Sequence, residues 1–444
     1  MSAERDVPGI TRRYTYGTWR HQKGWTPLEV IDADGCEFID AAGNHYLDFS
    51  SQLMCSNLGH KNTAVIEAIC EQARKLPFVA PSFTTEARAK LSKALLEVMP
   101  GGLDKFFYAT SGTEANEAAF KIARQCTGKY KIISRYTSYH GSTAGSIAAT
   151  GDYRRYPIEP AGKMEGVIFG PDAYCYRCPF GLKYPDCGIE CADYLEHMIK
   201  HESNVAAVIV EPVVGTNGVL VPPDEYLPRL KEIAARHEVL MICDEVMSGW
   251  GRIGEWFAVN HWNVQPDILT TAKGITGAYV PLAVTATTRE IADYFEEHLF
   301  AHGHTYEAHP LTLAAGVASI QEYKRLRLIE HSRELGQHVG DQLRSLQDKH
   351  PSVGDVRGLG LFWALELVRD KKSKQPFNTR EDKIAGKTLT VDRLASQCMK
   401  DGVYVVSWIN NLIVAPPLII GRKDIDRGIA ALDKSLDIAD REII

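Results

Sequence analysis

Apolar and polar positions change rhythm along the chain. Between Leu28 and Ser50 the apolar residues alternate in short runs at 30–32, 37–39 and 46–49, with Asp34-Gly35 and Gly43-Asn44 between them. Period-two runs broken by such turn pairs predict a meander of short strands. Helical spacing follows at 63–75 and 85–98, and Pro100-Gly101-Gly102 stops the second helix. From Lys105 onward, apolar strands alternate with amphipathic helices. Strands are expected at 105–109, 131–134, 166–169, 206–210, 239–243, 267–270 and 281–285, with helices at 114–126, 192–201 and 225–237. Several strands are apolar without interruption, such as Ala206-Ala207-Val208-Ile209-Val210 and Leu240-Met241-Ile242-Cys243. Such runs suit a mainly parallel sheet covered on both faces.

The pattern changes again beyond Pro310. A long helical stretch extends past Tyr323, followed by two short strands around Gly358-Leu359-Gly360. A helix at 391–400, strands at 404–406 and 412–415 and a last helix at 424–439 complete a smaller α+β unit. The expected division is an N-terminal segment at 1–60 that joins the small unit, a large unit at 61–310, and the small unit at 311–444.

Composition narrows the function classes. The 444 residues carry 50 basic against 56 acidic side chains, a net charge of −6, which argues against a nucleic-acid grip. No apolar run reaches about 18 residues, so no membrane span is expected. Met1 to Ile10 is polar and lacks the apolar stretch of a secretory signal. Ten cysteines are too sparse for a disulfide scaffold and read as reduced thiols, giving a cytoplasmic expectation.

Four positions carry candidate chemistry. Lys273 follows a buried strand among small residues, where desolvation favours the neutral amine and lets it attack a carbonyl; a lysine alone there is more often a surface group. Asp244 ends another strand, 29 residues earlier, where open α/β sheets bind ligands, or else it serves as a turn residue. The pair meets the demand of pyridoxal phosphate, a Schiff-base lysine and an acid for the ring nitrogen. Thr110-Ser111-Gly112-Thr113 opens a helix after a strand, which makes either a phosphate seat or a plain N-cap. Tyr139-His140-Gly141 places an aromatic ring after a further strand, to stack on a flat cofactor or to fill core.

On these residues the chain resembles the class III aminotransferases, the fold-type-I pyridoxal phosphate enzymes that include ω-amino acid and amine transaminases. The resemblance rests on Ser111-Gly112-Thr113-Glu114-Ala115-Asn116, Tyr139-His140-Gly141, Glu211-Pro212 and Asp244-Glu245-Val246. It continues through Gly249-Trp250-Gly251-Arg252-Ile253-Gly254, Lys273-Gly274, His302-Gly303-His304-Thr305-Tyr306 and His309-Pro310. It implies a large domain with a mainly parallel seven-stranded sheet beside a smaller α+β domain. It also implies pyridoxal 5'-phosphate as cofactor, an amine donor, a keto acid acceptor such as pyruvate, and a homodimer or higher even oligomer.

The implied roles follow the motifs. Lys273 bonds the cofactor aldehyde and shuttles the proton, Asp244 pairs with the ring nitrogen, Tyr139 stacks on one face and Val246 packs on the other. Ser111, Gly112 and Thr113 hold the phosphate, with His140 and Glu211 supporting the site. Thr305 reaches the phosphate of the neighbouring subunit. Trp25, Leu53, Met54 and Phe83 are the expected substrate pocket, an apolar set that favours aryl or alkyl amines.

Three departures matter. Met247 stands where many members have a glutamine, which resembles the amine and taurine branch. No arginine lies near Val406 or Ser407, where many amine transaminases carry the one that binds the acceptor carboxylate; Arg177 is a substitute or a surface residue. The run Cys175-x2-Cys178-x8-Cys187-x3-Cys191 has the ligand count of a zinc site, against buried thiols or a disulfide, and no metal is the primary expectation. The main alternatives are a decarboxylating transaminase or an aminomutase of the same family, and a non-catalytic binding protein on this fold.

Overall fold

The uninterrupted apolar runs become the central layer. In the computed structural model, which describes residues 6–162 and 164–443, strand Val205–Val210 is buried at all six positions and Ile268–Thr271 at all four. Residues 1–5, part of the polar start and of the expected 1–60 segment, lie outside the described residues. Seven strands form one sheet in the order Leu103–Ala109, Ala283–Thr288, Ile268–Thr271, Leu240–Asp244, Val205–Val210, Lys131–Arg135 and Val167–Gly170. Only Ala283–Thr288 runs against its neighbours; every other pairing in the sheet is parallel. The expected seven-stranded, mainly parallel sheet is what forms.

This topology brings the carboxyl ends of six strands, at Ala109, Arg135, Gly170, Val210, Asp244 and Thr271, to one edge. The chemistry-bearing motifs follow these ends directly, and the edge is where such sheets bind ligands. Helix Gly112–Thr127 packs across the sheet through Ala115, Ala118, Ala119, Phe120 and Ile122. Its small residues let it lie close, so its N-terminus opens onto the edge.

The N-terminal meander, Val30–Asp34, Glu37–Asp40 and His45–Asp48, gains a fourth strand from far along the chain. Val403–Tyr404 pairs parallel to it, with Val403 opposite Leu47 and Tyr404 opposite Asp48. A separate antiparallel sheet orders Val353–Leu359, Phe362–Asp370, Asn411–Val414 and Val406–Trp408. The two short strands expected around Gly358-Leu359-Gly360 are a hairpin of seven and nine residues. Charges at Asp355, Arg357 and Glu366 hide it from a hydrophobic reading, and they neutralise one another: Arg357 Nη1 reaches Asp355 Oδ2 at 2.6 Å and Glu366 Oε2 at 2.7 Å. The long helical stretch is two helices, Pro310–Arg325 and Leu328–Lys349, broken at Arg327 with φ of 52°. One apolar core runs from Leu47 and Phe49 through Val208, Met241 and Leu269 to Leu432. Among the described residues no helix is long and apolar enough to cross a membrane.

Candidate active site

Where the six strand ends converge, a cavity of about 470 Å³ opens. Asp244 lies in it, 4% exposed, and its carboxylate is fixed by three donors. Oδ2 accepts from Asn116 Nδ2 at 2.8 Å and from His140 Nδ1 at 2.7 Å; Oδ1 accepts from the Val246 amide at 3.0 Å. Asn116 stands four residues after Gly112 on one helix face, so the helix that opens on the cavity also orients the acid. His140 Nε2 is buried with no partner.

Lys273 follows strand Ile268–Thr271 by two residues, in the left-handed region with φ of 49°. A side chain other than glycine is uncommon there and marks a locally strained position. The turn is held from both sides: the Ala278 amide donates to Lys273 O at 3.3 Å, and Tyr323 Oη donates to Gly274 O at 2.8 Å. Burial pushes the Lys273 ammonium below its ordinary value, opposed by Cys55, Asp244 and Glu211.

The N-terminus of Gly112–Thr127 forms a second wall. The Glu114 amide donates to Ser111 Oγ at 3.5 Å, a loose cap. Thr113 Oγ1 accepts from the Ser142 and Thr143 amides, both at 3.1 Å, joining this helix to the loop after Tyr139. A Cβ on Gly112 would lie 2.9 Å from both methyls of Val246, and one on Gly141, at φ +139°, would lie 2.2 Å from Thr113 Oγ1. Both glycines therefore keep a narrow slot between two loops clear.

Tyr139 forms the opposite wall. Its amide donates to Glu211 Oε1 at 3.0 Å, and the Gly215 amide donates to Glu211 Oε2 at 2.9 Å. Burial pushes the Glu211 carboxyl up to about 7. Against the Tyr139 ring lies Arg154, its Cζ 3.6 Å from the ring centroid and 4.5 Å from that of Trp408. Arg154 is 5% exposed; its Nε and Nη2 grip Asp152, which leaves Nη1 as the open arm of the fork. Asn217 donates to Asp152 at 3.1 Å and accepts from Trp408 Nε1 at 2.9 Å, closing the network.

The donor set fits pyridoxal phosphate: N–H groups at the end of a 16-residue helix for a dianion, a fixed carboxylate for a ring N–H, and an amine with a weakened hold on its proton. Ser111, Gly112, Thr113, Tyr139, His140, Glu211, Asp244, Val246, Lys273 and Leu53 all line this one cavity.

Other expected residues lie elsewhere. Met54 is 3% exposed and belongs to the apolar core. The turn Ser51–Met54 is distorted, with Gln52 at φ 58° and Leu53 at φ −111°, so neighbouring side chains part ways and only Leu53 reaches the cavity. Trp25 packs on Gly17, and it is Trp19 whose ring meets Tyr139, edge-on at 6.2 Å. Phe83 is 62% exposed, and Thr305 is exposed outside its own chain's cavity. Arg177 binds Glu366 and the Lys374 carbonyl, a tie between the two sheets' surroundings rather than a cavity group.

The four clustered cysteines are free thiols around a separate cavity of about 20 Å³. No three of their sulfurs lie within 4.8 Å of one another, so the loop does not gather a tetrahedral set. Cys55, Asn116 and Arg154 had no assigned role in the sequence reading. Helical spacing from Gly112 points to Asn116; Cys55 leaves no signal, because a distorted turn brings it to the cavity, and Arg154 stands behind Tyr139 without lining the cavity.

The class III aminotransferase family model matches residues 19–436. An uncharacterized aminotransferase, YhxA, from Bacillus subtilis is 35% identical over 440 residues, 94% of each chain. A taurine–pyruvate aminotransferase from Bilophila wadsworthia is 32% identical and covers 98% of each chain. Among solved structures, taurine:2-oxoglutarate aminotransferase from Bifidobacterium kashiwanohense, in complex with PLP and glutamate, superposes with a TM-score of 0.95. It is 34% identical, over 100% of this chain and 99% of that one.

Proposed function

Given that this chain belongs to the class III aminotransferases, we propose that Lys273 and Asp244, which share one cavity, carry its transamination, and that Arg154, packed on the Tyr139 ring at the cavity's wall, favours substrates that bear an anionic group. The enzyme is pyridoxal-phosphate-dependent and moves an amino group between an amine donor and a keto acid. When bound, pyridoxal phosphate supplies an aldehyde that captures amines and a cationic ring that takes up the electrons of a broken C–H bond. The chain's residues do the rest. Lys273, with its ammonium destabilised by burial, would be the amine that holds the aldehyde and the base positioned to take a proton from the donor carbon and return it. Asp244, held by Asn116, His140 and the Val246 amide, keeps a ring nitrogen protonated. Ser111, Gly112 and Thr113 would hold the phosphate, with Tyr139 and Val246 beside the ring; all five line the cavity.

With no arginine near Val406, Arg154 is the cation we propose for the acceptor's anionic group. Its free Nη1 and its aromatic surroundings, Tyr139 and Trp408, suit a carboxylate or sulfonate on a short chain. We infer a homodimer as the working unit. What supports it is Thr305, exposed outside its own cavity beside a surface on which Phe78 and Tyr306 meet at 6.2 Å. The division into 1–60 with 311–444 and 61–310 rests on the pairing of Val403–Tyr404 with His45–Asp48. A cytoplasmic location is proposed from the free thiols.

The observation that carries the reading is the convergence of Lys273 and Asp244 on one cavity at the strand ends. Purified enzyme tested with a panel of amines and ω-amino acids, each with pyruvate and with 2-oxoglutarate, checks it. Amino acid formed in step with donor consumed supports the reading, and turnover without any acceptor would instead indicate a mutase.

A further inference from the structure

Glu211 also lines a second cavity of about 20 Å³, one that Lys273 does not line, walled by Arg135, Ser138, Asp172 and Tyr226 among apolar side chains. Arg135 is 4% exposed. Its Nε donates to Tyr226 Oη at 3.0 Å and its Nη1 to the Ser134 carbonyl at 3.3 Å, and its Nη2 is buried with no partner. A buried guanidinium thus meets a hydroxyl, a carbonyl and nothing anionic, although two carboxylates share its cavity. Buried polar groups are nearly always paired, with ordered water where no protein group reaches.

The two carboxylates have capacity to spare. Asp172 accepts the Thr137 amide at 2.9 Å on Oδ1 and the Thr137 hydroxyl at 2.6 Å on Oδ2; Glu211 accepts the Tyr139 and Gly215 amides. A carboxyl group, ionised or protonated, has lone-pair sites beyond the two used here, so each can take a further donor. The cavity is large enough for one water, which needs about 10–15 Å³. A small anion is disfavoured, since it would sit against the lone pairs of two carboxyl groups in a space of about 20 Å³.

We propose that this cavity holds one ordered water that accepts from Arg135 Nη2 and donates one O–H to Asp172 and one to Glu211, making Arg135 a positioning residue for Tyr139. The bridge ties both ends of the turn from Thr137 to Tyr139 to one fixed cation, because Asp172 holds Thr137 and Glu211 holds Tyr139. The role of Tyr139 rests on the function proposed above; the water does not.

A high-resolution crystal structure of the holoenzyme is the first test. Density for a water within about 2.7–3.2 Å of Arg135 Nη2 and of both carboxylates is expected. An empty cavity, or an anion in it, overturns the proposal. The second test is infrared titration of the apoenzyme, following the carboxyl band that Glu211→Gln removes. Glu211 faces Tyr139, His140, Asp244 and Lys273 on the cavity side, and Arg135, Asp172 and Tyr226 behind. Those groups stay in place when only Arg135 changes. In Arg135→Gln the midpoint should rise by about one unit, a tenfold change in proton affinity, with Arg135→Lys staying near the wild type. An unmoved midpoint in Arg135→Gln contradicts the bridge. Should that variant fail to fold, the wild-type density decides. Both readouts are independent of turnover, so their failure is distinct from failure of the transaminase reading.

Discussion

Asp244→Asn isolates one charge from the rest of the site. The aspartate accepts from Asn116, His140 and the Val246 amide at 2.7–3.0 Å and is 4% exposed. An asparagine keeps the shape but has one acceptor oxygen, so its N–H2 must face a donor, and the unit charge opposite the ring nitrogen of pyridoxal phosphate is gone. For a charge pair about 4 Å apart at an effective dielectric near 20, the attraction is about 4 kcal/mol. At about 1.4 kcal/mol per tenfold, that is on the order of 10³ in rate. The assay is a single-turnover half-reaction of holoenzyme with donor alone, followed by stopped-flow absorbance. Cofactor binding should survive, since Lys273 and the helix N-terminus are untouched, while the proton-transfer rate falls about a thousandfold. Asn116→Ala, which removes one donor and leaves the charge, should cost only about tenfold. An Asp244→Asn rate within tenfold of wild type would refute the assignment.

Three further outcomes follow from the geometry. Gly112→Ala places a methyl 2.9 Å from both Val246 methyls, so apoenzyme titration should show cofactor affinity reduced about tenfold, partly restored by Val246→Ala in the same chain. Glu245 is buried, accepts from Ser248 and the Val259 amide, and burial pushes its carboxyl up to about 7. A raised carboxyl binds its proton in the folded state while the unfolded chain has lost it, so this contribution to stability is present below about 4.5 and is lost as pH rises to about 7. Glu245→Gln can keep the Val259 amide on its oxygen and, with the bond reversed, donate its N–H2 to Ser248 Oγ, so thermal melts of the apoenzyme should lose less stability than the wild type across that window, by roughly 3 kcal/mol. Arg177→Ala should lower the melting temperature through loss of the tie to Glu366, worth roughly 1 kcal/mol, and leave the KM for pyruvate unchanged, since Arg177 lies outside the cavity.

The centre of the sheet was legible because strands there are apolar runs that folding buries whole, as at Val205–Val210. Lys273 and Asp244 were legible because each follows such a run, and topology then brings strand ends together without further information. The hairpin Val353–Leu359 with Phe362–Asp370 was read too short, since buried charges that cancel in space look like surface in sequence. Met54 was misplaced for a backbone reason: two distorted residues in one short turn send it into the core while Leu53 faces the cavity. Arg154 leaves no mark in the sequence because its aromatic surroundings, Tyr139 and Trp408, are far apart in the chain. The cysteine spacing gives a ligand count but does not fix where the sulfurs point, and here no three of the four lie within 4.8 Å of one another.

The central claim is that Lys273 bonds the cofactor. Borohydride reduction of the holoenzyme, proteolysis and peptide mass spectrometry test it directly. The account predicts one cofactor-modified peptide, with the modification on Lys273. A modification on another lysine, or its full retention in Lys273→Ala, would contradict it.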